Sequence, residues 1–292
     1  MKQIAKHERR GTRFRRSKEA AAALAEQVTT HPHQVPRNDA LPAMNVEMHH
    51  HISNSKSSPI KISSLLDSFP SEDPATKVCF MLPQLIATEI YQNFMTKLQD
   101  HFLYRLLGLE YDGEHSFSNE ERNTVRIVNN RIYSAGVLRV NFTTYDVRRG
   151  QDSMNPQTSK TNIMVLSRET AADAQLFWYA RILGIFHADV VHVGPAAKNR
   201  SIQHMEFLWV RWYGAVPGYR SGFKVARLPK IGFMPDADDD AFGFLDPSLV
   251  LRGCHLIPVF HEGRTTSLLP VQGTAGRPPG EDDDWVSFYV NM

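Results

Sequence analysis

The stretch FWYARILGIFHADVVHVGPAAKNRSIQHMEFLWVRWY, residues 177–213, decides the fold. Two runs rich in β-branched and aromatic residues flank a polar loop that contains Gly194 and Pro195. Such runs are typical of strands, and glycine and proline are typical of the loops that connect strands. We therefore predict two long neighbouring strands at the centre of a β-rich domain.

From Thr124 onward the hydrophobic pattern has a period of two, which indicates further strands. In the run that follows Gly136, alternate residues beginning with Leu138 and Val140 form the more buried face. We predict an antiparallel β-domain over residues 124–292, in the form of a small, partly open β-barrel. With the helices predicted before it, the fold class is α+β.

The connections within this domain are also predicted from local residue types. Asn129 and Asn130 separate two short apolar runs, and asparagine tolerates the positive φ angles of a tight hairpin turn. Residues 150–162 are polar and read as a loop, while residues 162–167 read as a short buried strand. The apolar run 248–260 predicts one more strand.

The N-terminal residues 1–28 form a basic arm with a helix-forming second half. Residues 1–18 hold eight lysines and arginines and one glutamate, a charge of +7, although the whole chain has only +2. The arm suits three interpretations: a solvated helix, a nuclear-localisation patch, or an arm that binds phosphate groups. The candidate nucleic-acid-binding residues are Arg9, Arg10, Arg13, Arg15, Arg16 and Lys18.

Two segments connect the arm to the β-domain. Residues 29–60 are rich in Pro, Asn, Ser and His and predict a flexible linker. Residues 61–123 predict helices, because apolar side chains recur at helical spacing from Ile86 to Leu106 and Gly108 follows as a C-cap. We interpret this stripe as a core face, with a partner-binding face as the alternative.

The composition argues against several classes of protein. Cys79 and Cys254 lie far apart and have no metal-binding spacing, so we predict neither a structural metal nor a disulfide framework. No apolar run is long enough to span a membrane, and the basic start is unlike a signal peptide. No P-loop, dinucleotide-binding or zinc-protease motif is present, so we expect no cofactor and no enzyme activity.

Taken in order, several segments carry a resemblance to a known family. The chain resembles the C-terminal portion of the Plavaka-type transposon proteins of mushroom-forming fungi, over about residues 48–292. The residues that carry it include LQDHFLYRLLGLEYDG, ERNTVRIVNNRIYSAGVLRVNFTTYDVRRGQDSMNP, FWYARILGIFHADVVHVG, MEFLWVRWYG and FGFLDPSLVLRGCHLIPVF.

The resemblance implies a fragment without catalytic machinery. Complete members of that family have a zinc-finger-like region and a central nuclease of the ribonuclease H type, and neither matches the sequence. No catalytic residue is therefore carried over. The partners that follow from the resemblance are chromatin protein or the missing transposase region. The cysteine usage and the charged N-terminus instead predict an intracellular protein, and the basic arm predicts a nuclear location and contact with DNA.

The β-domain also resembles bromo-adjacent homology (BAH) modules, in the order of the segments FWYARILGI, FLWVRWY and LDPSLVLRGCHLIP. Such modules bind chromatin or other proteins, and some hold methyl-lysine in an aromatic cage by cation–π attraction. The resemblance thus implies a binding module. Core packing is the competing interpretation, because adjacent residues of a strand face opposite sides. The cage candidates are Trp178, Tyr179, Trp209, Trp212 and Tyr213.

Overall fold

The computed structural model describes residues 49–52, 59–61, 94–109, 117–143, 149–167, 175–222, 225–269, 276–277 and 281–291.

The described residues contain two α-helices, α1 (Phe94–Leu107) and α2 (Asn119–Arg122). The strands are β1 (His50–Ile52), β2 (Ile60–Lys61), β3 (Val125–Ile127), β4 (Arg131–Ala135), β5 (Leu138–Thr143), β6 (Arg149–Met154), β7 (Asn162–Leu166), β8 (Phe177–His192), β9 (Gln203–Ala215), β10 (Lys230–Phe233), β11 (Phe242–Leu245), β12 (Val250–Gly253), β13 (His255–Pro258), β14 (Arg264–Thr265), β15 (Asp284–Trp285) and β16 (Phe288–Asn291).

The predicted central pair is confirmed. β8 and β9 are the longest described strands and pair antiparallel from Tyr179 opposite Tyr213 to Val190 opposite Gln203. They lie inside an 11-stranded sheet with the main order β12–β7–β8–β9–β10–β16–β13. A second sheet has the order β1–β5–β6, and β14 and β15 form a two-stranded ribbon.

The predicted fold class is confirmed at its coarser level. The described residues form mostly antiparallel sheet with few helices. The main strand path begins at β12 and ends at β13, and within the described ranges it does not close on itself as a barrel.

Strict alternation along the middle of β9 separates two of the three hydrophobic cores. Phe207 and Trp209 face the side that α1 covers, which we call the helix-side core. Leu208 and Val210 face the small β1–β5–β6 sheet, which we call the sandwich core. Leu138 from β5 is fully buried in that second core, as its sequence pattern predicts. The large sheet is therefore covered on both faces around its central strands.

A β-bulge on β8 reverses which alternate residues of that strand face each core. The register with β9 shifts between Ile182 and Gly184. A Cβ atom at Gly184 would lie 2.3 Å from the ring of Phe186, so a larger residue there would displace that ring. Beyond the bulge, Ile185 again faces the sandwich core and Phe186 the helix-side core.

Helix α1 covers the helix-side core as the apolar stripe predicts. Phe94 packs edge-to-face on Trp209, and Phe102 packs on Phe207 at 5.2 Å. The predicted cap is confirmed, because Gly108 has φ +59° and its N–H donates to the carbonyl of Arg105. Within the described residues, neither helix is long and apolar enough to cross a membrane.

Three connections differ from their prediction. Asn129 and Asn130 do have positive φ angles, but they do not reverse the chain. β3 and β4 both pair antiparallel with β8, one after the other, so the asparagines form a bulged turn along one edge. Residues 149–154 form β6 although they are polar, because β6 pairs with β5 over its full length. The run 248–260 divides into β12 and β13, which pair with different strands.

The predicted linker and the predicted helical segment both contain described secondary structure. Part of the predicted linker is structured, since β1 pairs with β5 and Ile52 is buried in the sandwich core. β2 likewise pairs with β4. The helical segment 61–123 contributes α1 and α2, and the rest of its predicted helical stripe, together with Cys79, lies outside the described residues.

Leu98 lies at the centre of the helix-side core and is fully buried. We expect Leu98→Ala to lower the free energy of unfolding by about 2–5 kcal/mol, because it removes buried methyl groups and leaves a cavity. Leu109, which follows the same helix, is 45% exposed and provides the matched control. Leu109→Ala should change stability by about 0.5 kcal/mol or less. Urea unfolding measures both, and equal losses would contradict this assignment of the core.

Candidate binding surface

A buried ionic cluster joins the central strand β9 to the C-terminal part of the chain. Arg211 on β9 is fully buried, and its Nη1 and Nη2 atoms lie 3.0 and 3.1 Å from the carboxylate oxygens of Asp284. Arg277 donates from Nη2 to Asp284 Oδ2 over 3.0 Å. One carboxylate therefore serves two guanidiniums and holds β15 against β9.

The surroundings of Arg211 offset part of the cost of its removal from water, although its buried Nε atom has no hydrogen-bond partner among the described residues. Its guanidinium donates to the carbonyl oxygens of Gly276 at 3.2 Å and Leu268 at 3.4 Å. Its carbon Cζ lies 3.8 Å from the ring centroid of Phe233. Burial lowers the pKa of Arg211, and the hydrogen bonds and charge of Asp284 oppose that shift. A guanidinium stays charged in proteins, so the carboxylate is needed as its counterion.

The same cluster sets the orientation of the ribbon. β14 and β15 pair with Thr265 opposite Asp284 and Arg264 opposite Trp285. Neighbouring side chains on a strand point to opposite faces, so the inward Asp284 turns Trp285 outward. The ribbon continues where the N–H of Val286 donates to the carbonyl of Gly263 over 3.2 Å.

An aromatic surface lies on the outer side of this ribbon. Phe260 is 69% exposed and packs edge-to-face on Trp285, with ring centroids 5.3 Å apart. Val286 follows Trp285 in the chain and is 38% exposed. We call the exposed Phe260 and the half-buried Trp285 the Phe260–Trp285 patch. Adjoining exposed apolar residues with a polar surround mark interaction sites more often than single exposed residues do.

An arginine of the chain already contacts this patch. The Arg264 guanidinium carbon lies 5.1 Å from the Trp285 ring centroid. Its Nη2 atom lies 2.5 Å from Glu281 Oε2, and its Nε atom lies 2.6 Å from Asp283 Oδ1. Both carboxylate side chains are 41% exposed, so this ion-pair network lies at the surface rather than in the core.

The structure does not bring the five predicted cage residues together. Tyr179 and Tyr213 are opposite each other on β8 and β9 and are buried in a third core with Phe233. Burial raises the pKa of Tyr179 to about 12, as expected for a phenol away from water. Trp209 is only 2% exposed and belongs to the helix-side core. Alternation along the strands therefore separates these three rings from the remaining two.

Trp178 and Trp212 are the cage candidates that do meet. Their ring centroids are 6.0 Å apart, in an edge-to-face arrangement, and both pack partly buried against the sandwich core. Whether this pair binds a ligand stays a prediction. The basic-arm candidates Arg9, Arg10, Arg13, Arg15, Arg16 and Lys18 all lie outside the described residues.

Histidines and carboxylates of β1, β8 and β9 lie close together. His50, predicted as exposed linker, instead has its Nε2 atom 3.1 Å from Glu206 Oε2. His204 Nδ1 lies 3.0 Å from Asp189 Oδ1, and the His187 and His204 rings are 4.8 Å apart. Burial, followed by the neighbouring His204, lowers the pKa of His187. No group of three or more His, Cys, Asp or Glu in the described part of the chain is placed to hold a metal ion.

Sequence reasoning missed the Phe260–Trp285 patch. Phe260 ends a predicted strand, and Trp285 follows the acidic run 281–284, which reads as a spacer. A usable signal exists, because Trp285 is the one tryptophan outside the central strands and is preceded by four carboxylates. Its contact with Phe260 depends on the ribbon, and no local pattern predicts that pairing.

No protein-family profile matches the chain, and neither a curated protein nor a solved structure shows significant similarity to it.

The ionic cluster predicts a large effect of one conservative substitution. Asp284→Asn should lower the free energy of unfolding by about 3–5 kcal/mol, because it leaves Arg211 and Arg277 charged and buried without a counterion. Asp282→Asn is the matched control, since Asp282 is exposed, and its effect should stay within about 0.5 kcal/mol. Urea unfolding compares the variants. Similar stability of both would mean that the cluster does not hold the ribbon.

Proposed function

We propose that the chain is a non-catalytic, BAH-like protein-binding module derived from a Plavaka-type transposon protein, and that it acts on chromatin protein in the nucleus. The sequence resemblance supports the origin, and the basic arm and the cysteine usage support the location. The antiparallel sheet is compatible with a partly open β-barrel of the BAH-like kind. The single observation that carries the binding role is the exposed Phe260–Trp285 patch.

The patch has the physical properties of a binding anchor. Aromatic rings supply a large contact area and lose little conformational entropy on binding, so they dominate many protein interfaces. Trp285 is also held in place, because Asp284 beside it is bound to Arg211 and Arg264 is opposite it on β14. A rigid anchor retains more of its contact energy than a mobile one.

An array of basic, neutral and acidic peptides, with histone tails among the basic ones, tests this function. We expect peptides of at least one class to bind with a Kd of roughly 100 μM or tighter, about −5.5 kcal/mol. Phe260→Ala should weaken that binding about tenfold or more, because an anchor in the interface contributes at least 1.4 kcal/mol by this estimate. Phe260 is mostly exposed, so its substitution should leave the fold intact.

Ile202→Ala is the matched control for that experiment. Ile202 is 61% exposed and precedes β9 at the end opposite to the patch. Val286 lies next to Gly232, which pairs with Gly214 near the other end of β9. A strand of this length separates the two sites by about 40 Å. If no peptide binds, the module is a structural remnant and the proposal is wrong. If both variants lose binding equally, the patch is not the binding site and the proposal loses the observation that carries it.

The charge of residues 1–18 supports a second candidate function, a nucleic-acid tether. With eight basic residues on phosphates, the logarithm of DNA affinity should fall against the logarithm of salt concentration with a slope of up to about −7. Deletion of residues 1–18 should remove that affinity. Fluorescence anisotropy with a labelled duplex measures both, and an affinity that survives the deletion would exclude the arm as the tether.

A further inference from the structure

We propose that the Phe260–Trp285 patch binds a basic segment of its partner, with an arginine or lysine side chain seated on the exposed ring of Phe260 beside the acidic residues 281–283. This inference rests on the proposed protein-binding function and adds the chemical class of the partner. It does not involve the predicted cage residues.

The charge around the patch is the first argument. Glu281, Asp282 and Asp283 contribute three negative charges next to the rings, and Arg264 neutralises one of them. Glu262, between the patch residues in the sequence, is already paired with Lys230, and this ion pair together with the hydrogen bond from Ser287 lowers its pKa. The surface therefore retains about two unneutralised negative charges, which attract a cationic segment and repel a polyanion.

Arg264 supplies the second argument, because it shows how a guanidinium fits this surface. It lies over the Trp285 ring, pairs with Glu281 and Asp283, and donates to the backbone carbonyl of Asp283 over 2.9 Å. An aromatic face, two carboxylates and a carbonyl together make a recognition set for arginine. The chain's own arginine thus occupies one cation position of the patch.

A second cation position remains open beside it. Phe260 is 69% exposed, and Arg264 lies over the neighbouring ring of Trp285 rather than over Phe260. Asp282 is exposed and forms no ion pair with any described residue. A basic side chain of the partner seated on Phe260 would make a ring contact of the kind that Arg264 makes with Trp285, and the free charge of Asp282 would attract it.

Isothermal titration calorimetry with two matched peptides tests the inference. The first is a short Gly/Ser peptide that carries two arginines, and the second has citrulline, the uncharged isostere, at the same positions. We expect the arginine peptide to bind at least fivefold more tightly to the wild-type protein. Rising salt should weaken its binding, because the attraction between exposed charges is screened.

Charge reversal at the surface isolates the acidic contribution. Asp282→Lys should weaken binding of the arginine peptide by about tenfold and leave the citrulline peptide unchanged. Glu120→Lys is the matched control, because Glu120 is exposed on α2, which packs on α1 rather than on the ribbon. This control should bind both peptides like the wild type.

The outcomes separate the two proposals. Equal affinity for both peptides, or no effect of Asp282→Lys, would overturn the basic-segment inference. If a neutral or acidic peptide then still binds and Phe260→Ala abolishes that binding, the protein-binding function stands and only the partner class is wrong. If no peptide of any class binds, both proposals fail.

Discussion

The ion pair between Arg211 and Asp284 is the interaction on which the arrangement of the C-terminal half depends. A guanidinium in the middle of a central strand must be neutralised, because an isolated buried charge costs several kcal/mol. Asp284, which lies 73 positions further along the chain, supplies the neutralising carboxylate. The requirement at β9 thus determines where the ribbon lies, and the ribbon determines which rings reach solvent. A buried pair of this kind adds little net stability over an apolar contact, but it selects one position for the ribbon.

The parts of the fold that sequence predicts well are those with strong local patterns. β8 and β9 follow from long runs of β-branched and aromatic residues, and Gly108 ends α1 where a left-handed residue is needed. β6 was not predictable in the same way, because its residues are polar and its strand structure comes from pairing with β5. Asn129 and Asn130 show the same limit. Their φ angles follow from residue type, but the chain direction after them is set by β8.

The candidate site was harder to predict than the fold for a related reason. Aromatic density in a sequence is mainly a signal of burial, and Trp209, Tyr179 and Tyr213 follow it into the cores. An aromatic side chain that binds a partner must be exposed, and its exposure depends on which other segments of the chain pack over it. Phe260 and Trp285 are 25 residues apart in the sequence and meet through the ribbon. Their contact therefore required the tertiary structure, although the isolated position of Trp285 beside four carboxylates was visible.

Two sets of ion pairs near Trp285 differ in their exposure to solvent. The pair Arg211–Asp284 has side chains with 0% and 3% exposure, so dissolved ions screen it weakly. The pair Arg264–Asp283 has 30% and 41% exposure, so water and salt weaken it and its net contribution is small. The outer arginine can therefore leave its carboxylates at little cost while the inner pair still holds the ribbon. In the proposed binding mode, a partner's cation can therefore settle beside Arg264 and shift this outer network, while the inner pair keeps the ribbon in place.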